Sequence, residues 1–258
     1  MLRTFANTTA DDAQAAATDI IAAEAATLDP ATNAAELSNA AVALQLGYRK
    51  LAGLDVAAEN AVKDKIGDSP TRNAVATNVA AARHLIALTG QSPARDAPPA
   101  AWQIVAPAPA DELLGYYKVA AANTGVPWQI LASIHLVETR FGRIRGVSSA
   151  GAQGPMQFLP STWAAYGKGD INSNHDAIAG AANYLKANGA PERLDDAIFR
   201  YNHSSNYVRA IRAYAERMTS DERAFRGYHQ WAVLYRTTAG TLMLPIGYPS
   251  VPPVPVIA

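Results

Sequence analysis

The sequence predicts a mainly α-helical protein with a small β-hairpin near its C-terminus. Apolar residues recur every three to four positions through most of the chain, as in amphipathic helices. Prolines and glycines fall between these segments, where helices are expected to end. After Arg226 two short runs rich in β-branched and aromatic residues flank a turn, which is typical of strands. We therefore divide the chain into residues 1–91, 92–109, 110–225 and 226–258.

Residues 1–91 are predicted to form an alanine-rich helical accessory region. Its predicted helices span residues 11–28, 31–54, 57–66 and 71–88. Asp29-Pro30 ends the first helix, residues 67–70 separate the third from the fourth, and Gly90 follows the last. No cluster of catalytic side chains falls here, so a scaffold or spacer role is expected.

Residues 92–109 contain five prolines, which exclude a regular helix and predict a linker or an extended strap. Helical patterning returns in residues 110–124, 127–141, 160–166, 175–188, 194–201 and 206–218. These segments predict a compact helical domain over 110–225. The hairpin strands are predicted at residues 231–236 and 241–245, and the proline-rich tail at 249–255 is predicted to be extended or disordered.

Composition argues against several classes of function. Lys plus Arg and Asp plus Glu both number 22, so no net charge attracts a nucleic acid. The absence of cysteine excludes disulfides, thiolate catalysis and Cys-ligated zinc. The five histidines lack metal-binding spacing, so we predict no zinc site. Ser148 and Ser149 lack the Gly-x-Ser-x-Gly motif of a serine hydrolase.

Glu138 is a catalytic candidate. It lies four residues after Ile134 and seven after Leu131, on the apolar stripe of the predicted helix 127–141. Burial there raises a carboxyl pKa towards the range that suits a general acid. The alternative is a structural Glu138 at the edge of the stripe, or one that is paired with Arg140 or Arg143.

The segment 148–163 combines small residues with groups suited to sugar binding. Its glycines allow the backbone to approach a ligand closely. Gln157 can donate and accept hydrogen bonds, as an acetamido group requires, while Met156, Phe158 and Trp163 offer apolar surface. Each of these residues also fits a turn or a core position, and Trp163 is expected to be core.

Three ordered motifs resemble those of lytic transglycosylases. They are Glu138-Thr139-Arg140-Phe141-Gly142, Gly154-Pro155-Met156-Gln157-Phe158-Leu159-Pro160-Ser161-Thr162-Trp163 and Tyr201-Asn202-His203-Ser204. Residues 176–178, 181–185 and 206–208 are also similar to the membrane-bound lytic transglycosylase B type, especially its compact actinobacterial versions. The resemblance covers about residues 110–218, and Pro155 stands where many members of the superfamily carry leucine.

The resemblance implies a goose-lysozyme-like helical domain with Glu138 as its acid/base. The implied saccharide-lining residues are Ser149, Met156, Gln157 and Phe158, and Tyr201 with Asn202 would position the muramyl residue or the carboxyl group. The implied reaction cleaves the bond between N-acetylmuramic acid and N-acetylglucosamine in peptidoglycan strands and leaves a 1,6-anhydromuramyl end. The substrate's own acetamido group replaces a second carboxylate, and no metal or organic cofactor is required.

Three other functions stay open. Asp170 or Asp176 could position a water, which would make the protein a hydrolytic muramidase. The domain could instead be a catalytically silent peptidoglycan-binding module. The N-terminal helices could bind a protein of the cell-wall or division machinery. The implied substrate requires export, yet the first residues lack the apolar core of a signal peptide and no run approaches the roughly 20 apolar residues of a membrane helix, so a removed leader is expected.

Overall fold

The computed structural model describes residues 10–90 and 93–256. The described chain is mainly α-helical and lysozyme-like, as predicted, with two small antiparallel sheets. Its helices are α1 Ala10–Leu28, α2 Ala34–Gly53, α3 Val56–Asp64, α4 Ser69–Gly90, α5 Ala110–Thr124, α6 Trp128–Thr139, α7 Pro160–Tyr166, α8 Asn174–Ala187, α9 Leu194–Asn202, α10 Ser205–Ser220 and α11 Ala224–His229. The strands are β1 Gln103–Ile104, β2 Ile144–Arg145, β3 Val233–Thr237, β4 Gly240–Leu244 and β5 Val254–Pro255.

Side-chain caps explain where the N-terminal helices begin. Helix α2 starts three residues later than predicted because the Asn33 side chain accepts a hydrogen bond from the Glu36 amide. Asp55 caps α3 in the same way, through the Ala58 amide. The short helix α11 was not predicted, since its six residues are too few to show a helical period.

The N-terminal helices share one hydrophobic core with the helices of residues 110–225. Helix α4 packs along α10, and buried polar contacts join the two regions. Glu24 of α1 forms an ion pair with Arg217 of α10 at 3.1 Å, and the Tyr48 hydroxyl donates to Glu24. Gln45 of α2 hydrogen-bonds both the amide and the carbonyl of Ala232 at 2.9 Å. These contacts join the first helices to the helical region of residues 110–225. The division of the chain into two domains at residues 92–109 stays a prediction.

The proline-rich segment lies against the C-terminal hairpin. Strand β1 pairs with β2, and Tyr248 donates to the carbonyls of Pro98 and Pro99 at 3.2 and 3.3 Å. The predicted hairpin is confirmed as β3 and β4, and β5 of the tail pairs with β4. Trp231, predicted to start a strand, instead packs its ring against Tyr228, with ring centroids 4.8 Å apart. Within the described residues no helix has the length and apolarity that a membrane span needs.

Candidate active site

Helix α6 lies at the centre of the fold and carries Glu138 in its last turn. It packs against α5, α8, α10 and α11, and its Ile130, Leu131 and Ile134 side chains are fully buried. Glu138 is half-buried, so its side chain is partly removed from solvent and keeps some exposed surface. The predicted position of Glu138 next to the apolar face is therefore confirmed.

The helix ends two residues earlier than predicted. Arg140, Phe141 and Gly142 have φ values of 53°, 60° and 76°, so three consecutive residues are left-handed. This conformation is unfavourable for arginine and phenylalanine, so tertiary contacts must hold it. The Thr139 hydroxyl donates to the Pro155 carbonyl at 2.6 Å and accepts from the Gly142 amide at 3.0 Å. These two bonds fix the end of α6 against the segment that contains Gln157.

The Glu138 carboxyl group has one direct partner among the described residues. Tyr207, in the first turn of α10, donates its hydroxyl to Glu138 Oε1 at 2.6 Å. Burial raises the pKa of Glu138 to about 7, and the Tyr207 hydrogen bond opposes that rise. The carbonyls that end α6 also disfavour a negative charge there. At neutral pH the carboxyl group therefore populates both protonation states.

The ion pair that the sequence left open does not form. Arg140 donates to the Leu136 carbonyl of its own helix, and Arg143 donates to the His229 carbonyl at 2.8 Å. No ion pair within residues 10–90 and 93–256 includes Glu138. Its pKa is thus raised by burial without a neighbouring cation to hold it ionised.

A tight loop at residues 153–158 lies beside Glu138 and is closed by its own backbone. Gln153 and Phe158 exchange two backbone hydrogen bonds of 2.8 and 2.9 Å, and Gln157 has a φ of 51°. Gly154 permits this loop, because a Cβ there would lie 2.0 Å from the Ile171 carbonyl oxygen. The Gln157 side chain donates to the Gly154 carbonyl at 3.0 Å, so it folds back onto the loop.

Two predicted sugar-lining side chains lie in the core. Met156 is 0% exposed and Phe158 is 3% exposed. The predicted role does not fit the Met156 side chain, although its carbonyl oxygen accepts a hydrogen bond from the Tyr201 hydroxyl at 2.7 Å. Trp163 is partly buried and packs on Phe158, with ring centroids 5.5 Å apart, which agrees with the expected core role.

Three tyrosine rings pack against one another beside Glu138. Tyr201 stacks parallel to Tyr207, with ring centroids 6.4 Å apart and planes 6° apart, and meets Tyr184 edge-on at 5.4 Å. Burial raises the pKa of Tyr207 and Tyr201 well above the usual value, so both hydroxyls stay protonated donors. The predicted Tyr201 thus lies one ring away from the acid. No role was predicted for Tyr207 from the sequence. Ser204 caps α10 by accepting a hydrogen bond from the Tyr207 amide, and this cap is the sequence signal that puts Tyr207 in the first turn of the helix.

The other predicted site residues lie at the surface. Ser149 is exposed in the loop before Ala152, and Asn202 is exposed at the end of α9. The neighbouring Ser148 closes that loop by accepting from the amides of Ala150 and Ala152. No hydrogen bond of the described residues joins Ser149 or Asn202 to Glu138.

Asp170 and Asp176, the two aspartates that could position a water for hydrolysis, accept hydrogen bonds from residues close to them in the chain. Asp176 accepts from the Asp170 amide at 2.9 Å and from His175 Nδ1 at 2.8 Å. Asp170 accepts from the Asn172 amide at 2.9 Å. Ser173 caps α8 by accepting a hydrogen bond from the Asp176 amide. Neither aspartate contributes to the pKa shift of Glu138.

One family model matches part of the region around this site. Residues 146–195 match the family model described as Transglycosylase SLT domain. The match spans the loop at 153–158, α7 and α8 and ends at the start of α9. Neither the curated proteins nor the solved structures gave a match.

The family match supports lytic transglycosylase activity and a peptidoglycan substrate in general. It does not distinguish the membrane-bound B type or an actinobacterial version from other members, so the subtype stays a prediction. The matched residues include neither Glu138 nor the two tyrosines beside it. Their roles therefore depend on the geometry described above.

Proposed function

We propose that this protein is a peptidoglycan lytic transglycosylase that cleaves the β-1,4 bond from N-acetylmuramic acid to N-acetylglucosamine, with Glu138 as its single acid and base. The observation that carries this proposal is the half-buried carboxyl group of Glu138, whose pKa is raised to about 7. Such a group can hold a proton for the leaving oxygen and still ionise in the next step.

The first step uses the protonated carboxyl group. Because Tyr207 donates to Oε1, the proton of Glu138 is held on Oε2. Oε2 transfers this proton to the glycosidic oxygen, and the bond from that oxygen to the muramyl anomeric carbon breaks. The acetamido oxygen of the same muramyl residue stabilises the developing positive charge.

The second step uses the carboxylate that the first step leaves. The Tyr207 hydroxyl stabilises it, since a hydrogen bond to a charged acceptor is stronger than one to a neutral acceptor. Glu138 removes the proton from the muramyl C6 hydroxyl, whose oxygen attacks the anomeric carbon. The product is a 1,6-anhydro ring, no water is consumed, and Glu138 is protonated again.

The alternative functions have less support. Hydrolysis needs a second carboxylate to position water, but Asp170 and Asp176 already accept hydrogen bonds within their own loop. A silent binding module gives no reason for a carboxyl group with a raised pKa beside a tyrosine donor.

Substrate contacts and cellular location complete the proposal. Ser149 and Asn202 are exposed and can bind saccharide, and Gln157 can do so if its side chain leaves the Gly154 carbonyl. The peptidoglycan substrate places the activity outside the cytoplasm, so the protein is exported. A cell-wall or division protein that binds the N-terminal helices stays a prediction.

The test is mass spectrometry of the soluble fragments released from purified peptidoglycan. Wild type is expected to release anhydromuramyl fragments, and Glu138→Gln is expected to lose at least 100-fold in rate, because the amide keeps the shape but carries no transferable proton. Glu192→Gln, at an exposed glutamate, is the matched control and should match wild type. Equal release by wild type and Glu138→Gln would refute the proposed role of Glu138, and no release by wild type would favour a binding module.

A further inference from the structure

His135 is a fully buried histidine that the proposed reaction does not use. It lies on α6 one turn before Glu138, and its Nδ1 atom is 2.6 Å from the hydroxyl of Tyr117 on α5. Burial lowers the pKa of His135 to about 3 and raises that of Tyr117, so the ring is neutral and the phenol protonated. When the Tyr117 hydroxyl donates to Nδ1, the ring proton is on Nε2, which is then a hydrogen-bond donor.

Two buried polar atoms face the same side of Gly142. His135 Nε2 and Asn174 Oδ1 are both buried and have no protein hydrogen-bond partner. A Cβ on Gly142 would lie 3.5 Å from His135 Nε2 and 2.9 Å from Asn174 Oδ1. The two atoms therefore lie close to the same point, at most about 6.4 Å apart. One water with hydrogen bonds of about 2.8 Å to each can join a donor and an acceptor that are up to about 5.6 Å apart.

We propose that one ordered water joins His135 Nε2 to Asn174 Oδ1 over Gly142, and that this chain of hydrogen bonds positions the turn after Glu138. The chain links Tyr117 of α5, His135 of α6 and Asn174 of α8. Glycine at position 142 leaves the space that the bridge needs. Buried polar groups are rarely left unpaired, and an internal water is a common partner for a buried donor and acceptor that have none in the protein.

The turn connects this chain to the candidate active site. The His135 carbonyl accepts from the amides of Arg140 and Phe141, the latter at 3.2 Å. The Gly142 amide donates to Thr139, which in turn holds the Pro155 carbonyl. A looser turn would change the distance between Glu138 and the loop at 153–158. This second part of the proposal depends on the proposed function, whereas the water site does not.

The water site is tested by NMR on the full chain labelled with ¹⁵N. The imidazole nitrogen shifts of His135 are expected to show a neutral ring protonated at Nε2, and the Nε2 proton should give a cross-peak to a long-lived water. Asn174→Ala and Gly142→Ala should each lose that cross-peak, whereas Asn183→Ala, at an exposed position on α8, should keep it. A ring protonated at Nδ1, or a wild-type Nε2 proton without a water cross-peak, would overturn the proposal.

The positioning role is tested by the kinetics of peptidoglycan cleavage. Asn174→Ala should lower kcat about 10-fold with little change in KM, since misplacing the acid weakens the chemical step rather than binding. Asn174→Asp keeps an acceptor oxygen and should restore most of the rate. An unchanged kcat in Asn174→Ala would refute the positioning role and leave the water site intact. Failure of wild type to cleave would refute the proposed function, and NMR would still decide on the water.

Discussion

Replacing Tyr207 with phenylalanine should shift the pH dependence of activity upward. Tyr207 makes the only direct hydrogen bond to Glu138 among the described residues, and it favours the ionised form. A hydrogen bond to a charged group contributes about 1.5 to 3 kcal/mol and one to a neutral group about 1 kcal/mol. The difference corresponds to about one pKa unit. The pKa of Glu138 should therefore rise from about 7 to about 8.

The assay is the release of soluble fragments from peptidoglycan at low substrate concentration, measured from pH 5 to pH 9. Under these conditions the rate reports kcat/KM, and its alkaline limb follows deprotonation of Glu138 in the free enzyme. That limb should move up by about one pH unit in Tyr207→Phe. Tyr214→Phe is the matched control, because Tyr214 is a buried tyrosine on the same helix and is not bonded to Glu138. A limb that stays in place or moves down in Tyr207→Phe would refute the assigned role of Tyr207.

Three further predictions concern stability. Burial raises the pKa of Glu138, so the folded state binds this proton more tightly than the unfolded state does. The stability that the proton contributes is lost as pH rises from about 4.5 to about 7. At pH 8, but not at pH 4.5, Glu138→Gln should therefore unfold at a higher temperature than wild type, with a free energy of unfolding that is larger by up to about 3 kcal/mol. Glu24→Gln should lower the free energy of unfolding in denaturant by about 3 to 5 kcal/mol, because it leaves Arg217 buried without its ion-pair partner. Lys118→Gln breaks an exposed ion pair and should lower it by under about 1 kcal/mol; equal losses would contradict the buried ion pair between Glu24 and Arg217. Gly154→Ala should lower the melting temperature far more than Gly151→Ala, because both glycines have positive φ but only the first would place its Cβ against backbone; similar melting temperatures would contradict the loop geometry.

Local chemistry explains most of what the sequence predicts correctly. Helix α5 begins and ends at the predicted residues, and Asp29-Pro30 ends α1 as expected. Glu138 could be placed beside the core because its neighbours on the stripe are buried as their spacing predicts. Helix spacing and end signals act over a few residues, so one sequence is enough to read them.

The left-handed turn after Glu138 could not be predicted in this way. Phe141 lies seven residues after Ile134 and extends the apolar stripe, so the pattern indicates a longer helix. The bond from Thr139 to Pro155 spans 16 residues and overrides that local preference. The glycine at position 142 is the only residue of the turn that signals positive φ.

Long-range partners account for the other differences. Tyr207 and Glu138 are 69 residues apart, and Glu24 and Arg217 are 193 residues apart, so no spacing rule connects them. An alanine-rich composition favours the interpretation of residues 1–91 as an accessory region. The buried ion pair joins α1 to the helix that carries Tyr207, so the first helices support the candidate site indirectly.

Digestion of peptidoglycan in water enriched in ¹⁸O, with the muramyl ends analysed by mass spectrometry, distinguishes the proposed reaction from hydrolysis. The proposed reaction uses the muramyl C6 hydroxyl in place of water. We therefore expect 1,6-anhydromuramyl ends that carry no ¹⁸O and are one water lighter than hydrolysis products. Reducing ends that carry ¹⁸O would contradict the proposed reaction and would make the protein a hydrolytic muramidase.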